Sequence, residues 1–405
     1  MKEMKLIIGT PKITQHKETE VRVELSLNSN VDKIELWYKF PNSYYEYFNE
    51  NLADSYIVGL LIYAMQRGLD IETELCVSDI LLDRITKYLI PFLCKINPNL
   101  KPIRIIAKPL DVVFDGKHSG TGISCGVDSL SSVIYHGEDE FIDSQRIDTL
   151  SLLNTGYFGF EENNQEKYNS YSKRSIDFCD KFGYNFFSLD TNLRTITDYN
   201  FLSAHTYLTC STILLFQKYF KNYYYSSGYT VYDFKPIFAD PAYYDVFLLD
   251  CISTRSLRFI SSCCTMTRIE KTELISRYPN ILKELYVCTS GDPSHNCSKC
   301  EKCQRTMLAL DALGKDEMIG IAFDAKMYKK QRIAHYAYML RHQSSPYYKE
   351  IKDELRKRHK TVPFLSYLYI WPTNIELVYL YKLISGTTLA KIIKPLYYLI
   401  KNKKK

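Results

Sequence analysis

His118-Ser119-Gly120-Thr121-Gly122-Ile123-Ser124-Cys125-Gly126-Val127-Asp128-Ser129 runs directly into Leu130-Ser131-Ser132-Val133-Ile134-Tyr135, and this junction decides the fold. The first residues read as a strand, the middle as a turn of small residues, and the last as a helix that stops at Gly137. Such a junction gathers backbone N–H groups at the positive end of a helix, where phosphate is stabilised. Ser124 and Ser129 add hydroxyl donors, Gly126 permits close backbone approach, and Asp128 is placed to cap the helix or to position a magnesium ion. The loop has neither the Gly-Lys-Ser/Thr of a Walker loop nor the Gly-x-Gly-x-x-Gly of a dinucleotide site. The plainer alternative is a Ser/Asp-capped helix after an ordinary turn, with Cys125 a small filler rather than a nucleophile.

Outward from the junction, as far as about Cys264, short apolar runs at 149–155, 185–189, 222–226 and 257–262 alternate with helix-like segments at 167–182 and 201–219. That alternation predicts βαβ units and a parallel sheet covered on both faces, with ligands at the carboxyl ends of the strands. Upstream, Glu20-Val21-Arg22-Val23-Glu24-Leu25 and Lys33-Ile34-Glu35-Leu36-Trp37-Tyr38 alternate apolar and polar residues, which is strand periodicity. Asp54 or Ser55 is expected to cap a helix running through Arg67 and stopped by Gly68, and Ser78 a second helix ending before Pro91. After Gly314 the chain turns helical and polar, and Pro346, Pro363, Pro372 and Pro395 divide it.

A chain of 405 residues has room for one large domain with appendages or for two domains. The formal charge of +6 is small for this length and owes much to Arg356-Lys357-Arg358-His359-Lys360 and Lys403-Lys404-Lys405, so no nucleic-acid surface is indicated. The apolar run within residues 1–10 is too short for a signal peptide, and no uncharged stretch reaches the ~18 residues of a membrane span. A cytoplasmic location is expected, and a homodimer is compatible with the sequence. In a reducing compartment the twelve cysteines are thiols or metal ligands rather than disulfides.

Four of them form Cys288-x8-Cys297-x2-Cys300-x2-Cys303. Four soft thiolates in tetrahedral array favour Zn2+ and fill its shell, which makes the site structural; an iron–sulfur centre is the metal alternative. His295 is a competing ligand, but the thiolate set is complete without it. Gln304 to Leu313 reads as a helix ending at Gly314, so the metal is expected to tie a loop to a helix.

The loop resembles the Ser-Gly-Gly-x-Asp-Ser signature of the PP-loop ATP pyrophosphatases, with Cys125 where that family has its first Gly. Combined with the downstream Cys-x8-Cys-x2-Cys-x2-Cys and Arg305 two positions after the last Cys, the chain resembles the 7-cyano-7-deazaguanine synthase family. Glu270-Lys271-Thr272-Glu273-Leu274-Ile275 is similar to that family's Asn-Lys-Ala-Glu helix start, and Ser226-Ser227-Gly228-Tyr229 stands where its fourth strand ends. The resemblance covers about half the chain, from Ser119 to Gly314.

It implies a Rossmann-like α/β fold of the PP-loop, adenine nucleotide alpha-hydrolase-like type. With the patterns read on either side of it, the chain is expected to comprise an α+β N-terminal module (1–110), the ATP-binding domain (111–285), a four-cysteine zinc subdomain (286–314) and a helical C-terminal extension (315–405), the first and last being additions outside the resemblance. The resemblance also implies an AMP-forming ligase that adenylates a carboxylate, releases pyrophosphate and transfers nitrogen, with ATP, Mg2+ and Zn2+ as cofactors and ammonia as nitrogen donor. Ser124, Cys125, Gly126, Val127, Asp128 and Ser129 would hold the phosphates, Asp128 and Lys271 would serve catalysis, and Asp240, Asp190 and His205 would border the substrate.

Each of these has a plainer reading: a solvated Lys271, a turn at Asp240-Pro241, capping by Asp190 and core packing of His205. The carboxylate, small or macromolecular, is not specified. RNA thiolation and a non-catalytic nucleotide-binding regulator or partner-modifying protein are the competing functions. The tail from Ala390 to Ile400 reads as a solvated helix, with contact to an anionic membrane the alternative.

Overall fold

The computed structural model describes residues 4–27, 33–158, 164–289 and 295–370. The chain divides into two compact units, Met1–Asn296 and Cys297–Lys405. The first is built on a sheet of eleven strands: β1 (Lys5–Ile8), β2 (Lys12–Gln15), β3 (Thr19–Leu27), β4 (Lys33–Phe40), β5 (Asp70–Ser78), β6 (Ile105–Leu110), β7 (His118–Gly122), β8 (Thr149–Asn154), β9 (Asn185–Thr191), β10 (Phe220–Ser226) and β11 (Arg258–Ser262). Their order is β11-β10-β7-β8-β9-β4-β3-β1-β5-β6, with β2 paired to β3 off this path.

From β11 to β9 every pairing is parallel. Read from β9 to the far edge at β11, the strands of this half run third, second, first, fourth and fifth in chain order, so the direction of winding reverses between β7 and β10. Parallel strands need crossovers, and the helices Asn164–Phe182 and Phe201–Leu214 supply two of them. Four successive residues of β8 are buried, as expected of a strand covered on both faces. Close packing also explains Gly120 of β7: a Cβ there would lie 2.5 Å from the Phe220 ring on the neighbouring β10.

The other half is mixed. β3 alternates buried and half-buried residues, as its sequence pattern predicts, and pairs antiparallel with β1, β2 and β4. The helix Asp54–Arg67 ends at Gly68, whose φ of 68° is the left-handed stop glycine provides. The boundary expected near residue 110 falls inside one continuous sheet, because β4 pairs antiparallel with β9 through Tyr38↔Thr191 and Lys39↔Asp190. Asn192 extends that seam with its side chain, accepting from Trp37 N at 2.8 Å and donating to Glu35 O at 2.9 Å.

The helix predicted to end before Pro91 continues to Ile96. A π turn over Ile85–Leu89 lets the Ile90 N–H reach back to Ile85 O. That wider turn changes the bonding pattern just where proline, lacking an N–H, would otherwise break an α-helix. The second unit is helical, with Glu301–Ala312, Ala325–Arg341, Pro346–Lys357 and Phe364–Ile370. Pro346 opens its helix rather than interrupting one, since the first turn needs no N–H from it. Pro372, Pro395 and the tail from Ala390 to Ile400 lie outside the described residues. Among the described residues no helix is long and apolar enough to cross a membrane.

Candidate functional site

The loop Ser124 to Gly126 leaves the carboxyl end of β7 and enters the helix Val127–Val133, beside the reversal between β7 and β10. Gly126 is the N-cap residue, and Asp128 makes no cap bond. Ser129 Oγ donates to Gly126 O at 3.2 Å and lies 3.2 Å from Ser124 Oγ, so the two hydroxyls face one another across the turn. Cys125 takes the left-handed conformation, φ 56°, that glycine adopts without cost. Its carbonyl accepts from Tyr286 N at 2.7 Å, which fixes the peptide in place. Burial pushes the Cys125 thiol up to about 12, so it stays neutral at physiological pH and is a poor nucleophile.

Two cations converge on Asp128. Arg268 Nη1 donates to Oδ2 at 2.6 Å, and Lys271 Nζ lies 3.4 Å from Oδ1. Burial pushes the Asp128 carboxyl up, but Arg268 and Lys271 together outweigh it and hold it below its ordinary value. Both cations come from the helix Arg268–Ser276, whose start is set by a capping box between Thr267 and Glu270. Residues three apart share a helix face, so one capped turn aims both side chains at the loop. Lys271 is 1% exposed, contrary to the reading of a solvated lysine. It is buried because Nζ also donates to Ser227 O at 2.7 Å, just past the end of β10.

His205 and Asp240 are brought together at 3.2 Å, Nε2 to Oδ1. On the other ring nitrogen, Nδ1 lies 2.6 Å from the Tyr225 hydroxyl, which accepts from Thr206 Oγ1 at 3.3 Å. With the Nε2–H tautomer the donors run in one direction, from Thr206 through Tyr225 and His205 to Asp240. Asp240 also caps the turn Pro241–Tyr243 by accepting from Ala242 N at 2.9 Å, so the turn reading and the site reading hold together. Asp190 has other partners: Asn154 Nδ2 at 2.8 Å and its neighbour Thr191 N at 2.9 Å. Among the described residues no hydrogen bond joins it to Asp128, Lys271, His205 or Asp240.

The thiols of Cys288, Cys297, Cys300 and Cys303 lie within 4.8 Å of one another. Cys300 is the N-cap of the helix Glu301–Ala312, and Cys303 sits in its first turn. The Sγ atoms of Cys300 and Cys303 are 3.4 Å apart, and those of Cys297 and Cys303 4.0 Å. No disulfide forms among the twelve cysteines. Cys297 Sγ accepts from the backbone N–H of Lys299 at 3.4 Å and of Cys300 at 3.3 Å, bonds that favour a thiolate. Ser298, between these groups, has a φ of 57°, which turns the chain tightly enough to bring the N–H groups round. The cluster could bind a metal ion such as zinc.

Sequence reasoning missed Arg268, Tyr225 and Ser227 as site residues. The Thr-x-x-Glu capping box at Thr267 was a legible signal for Arg268, because it starts the helix two residues before Glu270. Compared with known proteins, the chain matches no family model, no curated protein and no solved structure.

Proposed function

We propose that the protein is an ATP-dependent, AMP-forming enzyme that adenylates a carboxylate, releases pyrophosphate and transfers nitrogen to the activated carbon. The observation that carries this reading is the convergence of Arg268 and Lys271 on the loop that bears Asp128, at the winding reversal where α/β sheets bind ligands. A loop of small residues flanked by two fixed cations suits the phosphates of a nucleotide, and such preorganised charge also stabilises a departing pyrophosphate. Ser124, Gly126 and Ser129 would contact the phosphates, and Arg268 and Lys271 would counter their charge. When bound, Mg2+ would neutralise phosphate charge and share the Asp128 carboxylate with those two cations.

The left-handed Cys125 supports the likeness to a glycine-bearing phosphate loop, since the backbone there has the shape a glycine gives. Its buried neutral thiol counts against sulfur transfer through that residue, and hence against RNA thiolation by that route. Zinc is the metal proposed for the four cysteines. Zn–S bonds of about 2.3 Å at tetrahedral angles separate sulfurs by about 3.8 Å, between the Cys300–Cys303 and Cys297–Cys303 distances. Its role is to stabilise the fold, and metal analysis is expected to find one zinc per chain.

The test of the enzymatic reading is product analysis with α-labelled ATP, Mg2+ and ammonium, with and without candidate carboxylates. AMP and pyrophosphate that depend on the carboxylate and vanish in a Ser129→Ala, Asp128→Ala double variant are the expected result. ADP as the product, or no binding of ATP, would refute it.

A further inference from the structure

The segment Leu285-Tyr286-Val287 leads into Cys288, the first of the four clustered cysteines, and Asn296 immediately precedes the second, Cys297. Asn296 is buried, and its side chain brackets that segment: Nδ2 donates to Leu285 O at 2.7 Å and Oδ1 accepts from Val287 N at 2.9 Å. The residue between them faces the other way, the alternation that an extended segment produces, and Tyr286 N donates to Cys125 O at 2.7 Å. Tyr286 O meets the same loop, 4.0 Å from where a Cβ on Gly126 would stand.

The peptide between Cys125 and Gly126 is trans and planar, so its C=O and N–H point in opposite directions. Held by its oxygen toward Tyr286, this peptide aims the Gly126 N–H away from the segment and into the turn, where Ser124 Oγ lies 3.3 Å from it. Cys125 stands at a φ of 56°, a conformation from which a released peptide would relax, and Gly126 offers little resistance to that rotation. The Tyr286 bond therefore keeps one backbone donor of the loop pointed where an anion would sit, and Asn296 keeps Tyr286 in place. The cysteines act on the same piece of chain. Cys288 follows Val287, Cys297 follows Asn296, and their Sγ atoms lie within 4.8 Å of one another, so one ion on those thiols fixes the two ends that the Asn296 amide joins.

Resting on the reading of this loop as a phosphate site, we infer that Asn296 is a positioning residue for nucleotide and that through it the four-cysteine metal site and the phosphate loop are coupled. With the cysteines metallated, Leu285 to Val287 is pinned at Cys288 and by Asn296, and the Gly126 N–H stays aimed into the turn. Without the metal, or without the Asn296 amide, Tyr286 is released and the loop loses that donor. Because coupling between two ligands is reciprocal, a nucleoside triphosphate on the loop in turn tightens the metal.

The test is amide hydrogen exchange, read by mass spectrometry, on the full zinc-loaded chain, on Asn296→Ala and Asn296→Asp, and on the parent after a chelator has stripped the metal and been dialysed away. Mg·ATP binding is measured by calorimetry on the same preparations. Asn296→Ala and metal removal are each expected to speed exchange in peptides covering 124–127 as well as 285–287 by about tenfold, with β8 unchanged, and to weaken Mg·ATP binding by about tenfold, the scale of one hydrogen bond to a charged group. Asn296→Asp keeps the acceptor for Val287 N and loses the donor to Leu285 O, so it should fall between the parent and alanine. A clamp that served stability alone would speed exchange at 285–287 and leave 124–127 and the ATP affinity as they were, and that result overturns the inference. So does a response to one of the two changes without the other, a rise that spreads to β8, or a faster loop whose Mg·ATP affinity is unaltered. If the parent binds no ATP while the exchange pattern is as expected, the adenylation reading fails and the coupling of metal site and loop stands.

Discussion

Two aspartates flank Lys271, and the protein treats them in opposite ways. Asp128, on the β7 side, has two cations within reach and is held below its ordinary pKa. Asp245, on the β11 side, has an oxygen without a partner and is pushed up to about 7. Both feel burial first, so burial does not decide their charge states. Partners do: Lys271 gives its hydrogen bonds to Asp128 and Ser227 and reaches Asp245 only through its charge. One side of the site thus carries a settled negative charge matched by positive ones, and the other keeps a proton in play near neutrality.

The sharpest way to break this contrast is to remove Asp128. Asp128→Ala leaves Lys271, 1% exposed, with a backbone carbonyl and a hydroxyl but no counter-charge bonded to it, Asp245 reaching it only at a distance. Stranding a buried charge costs about 3–5 kcal/mol, and the 27% exposure of the Asp128 side chain places the expected loss at the lower end. Urea titration at pH 7.5 should show it as a lowered midpoint, and Lys271→Met on the same background should restore part of it. An unchanged midpoint would mean that Asp128 and Lys271 do not depend on one another. As an acid with a depressed pKa, Asp128 contributes stability that is present above its unfolded value of 3.8 and lost as pH falls further.

Asp245→Asn should act with the opposite sign. A raised folded pKa means that the folded state holds the proton longer than the unfolded chain. The stability this group contributes is therefore fully present below about 3.8 and lost as pH rises to about 7. Asparagine cannot ionise, so the variant is expected to be more stable than the parent at pH 8, by about 2–4 kcal/mol at most, and about equal to it at pH 4. Asp245→Asn destabilising at pH 8 would show that Ser261, the Val246 N–H and Lys271 together outweigh the burial of the ionised carboxylate.

His136 sharpens the same profile from the other limb. Its ring stacks on Tyr224 at 3.7 Å, the Glu140 carboxylate lies 3.8 Å from Nδ1, beyond hydrogen-bond distance, and burial outweighs that charge and holds the pKa down at about 4. The unfolded chain takes up a proton near 6.5 while the folded one resists, so stability falls as pH drops from about 6.5 to about 4. Over that window His136 and Asp245 oppose one another, and the parent profile is flatter than either group alone would make it. His136→Phe should remove the acid limb, leaving stability that rises toward pH 4, by about 1–3 kcal/mol across the window. An identical profile in the variant would remove His136 from the account.

How much of this was written locally explains what could be read in advance. The strand, turn and helix around Ser124 to Ser129 rest on neighbouring residues, as do the Cys-x2-Cys spacings and the Gly68 stop, and all were legible. The β4–β9 seam joins residues some 150 positions apart through a short ladder and one asparagine side chain, so no local pattern announces it. The run across Pro91 was missed because a π turn has no sequence signal as strong as proline's own. The burial of Lys271 was not legible for a related reason: burial of a lysine depends on an acceptor set, here Asp128 and Ser227, which only the fold assembles. Asp245 went unnoticed because what marks it is a missing contact.

The smallest expected effect tests the loop under Asp128. Cys125 holds φ 56°, a conformation that costs an L-residue about 1–2 kcal/mol. Glycine removes that cost, but it adds about 0.5–1 kcal/mol of unfolded-chain entropy and gives up the burial of the thiol. Alanine gives up the sulfur and keeps the strain. The two losses nearly cancel in Cys125→Gly, which should lie within about 1 kcal/mol of the parent and be no less stable than Cys125→Ala, the reverse of the order found at ordinary positions. Asp128 takes its charge state from Arg268 and Lys271 rather than from loop strain, so the acid limb of the stability profile should be the same in both variants. If glycine proves clearly worse than alanine, the left-handed turn is not what the loop adopts in solution, and the comparison of the two aspartates loses the scaffold that holds one of them.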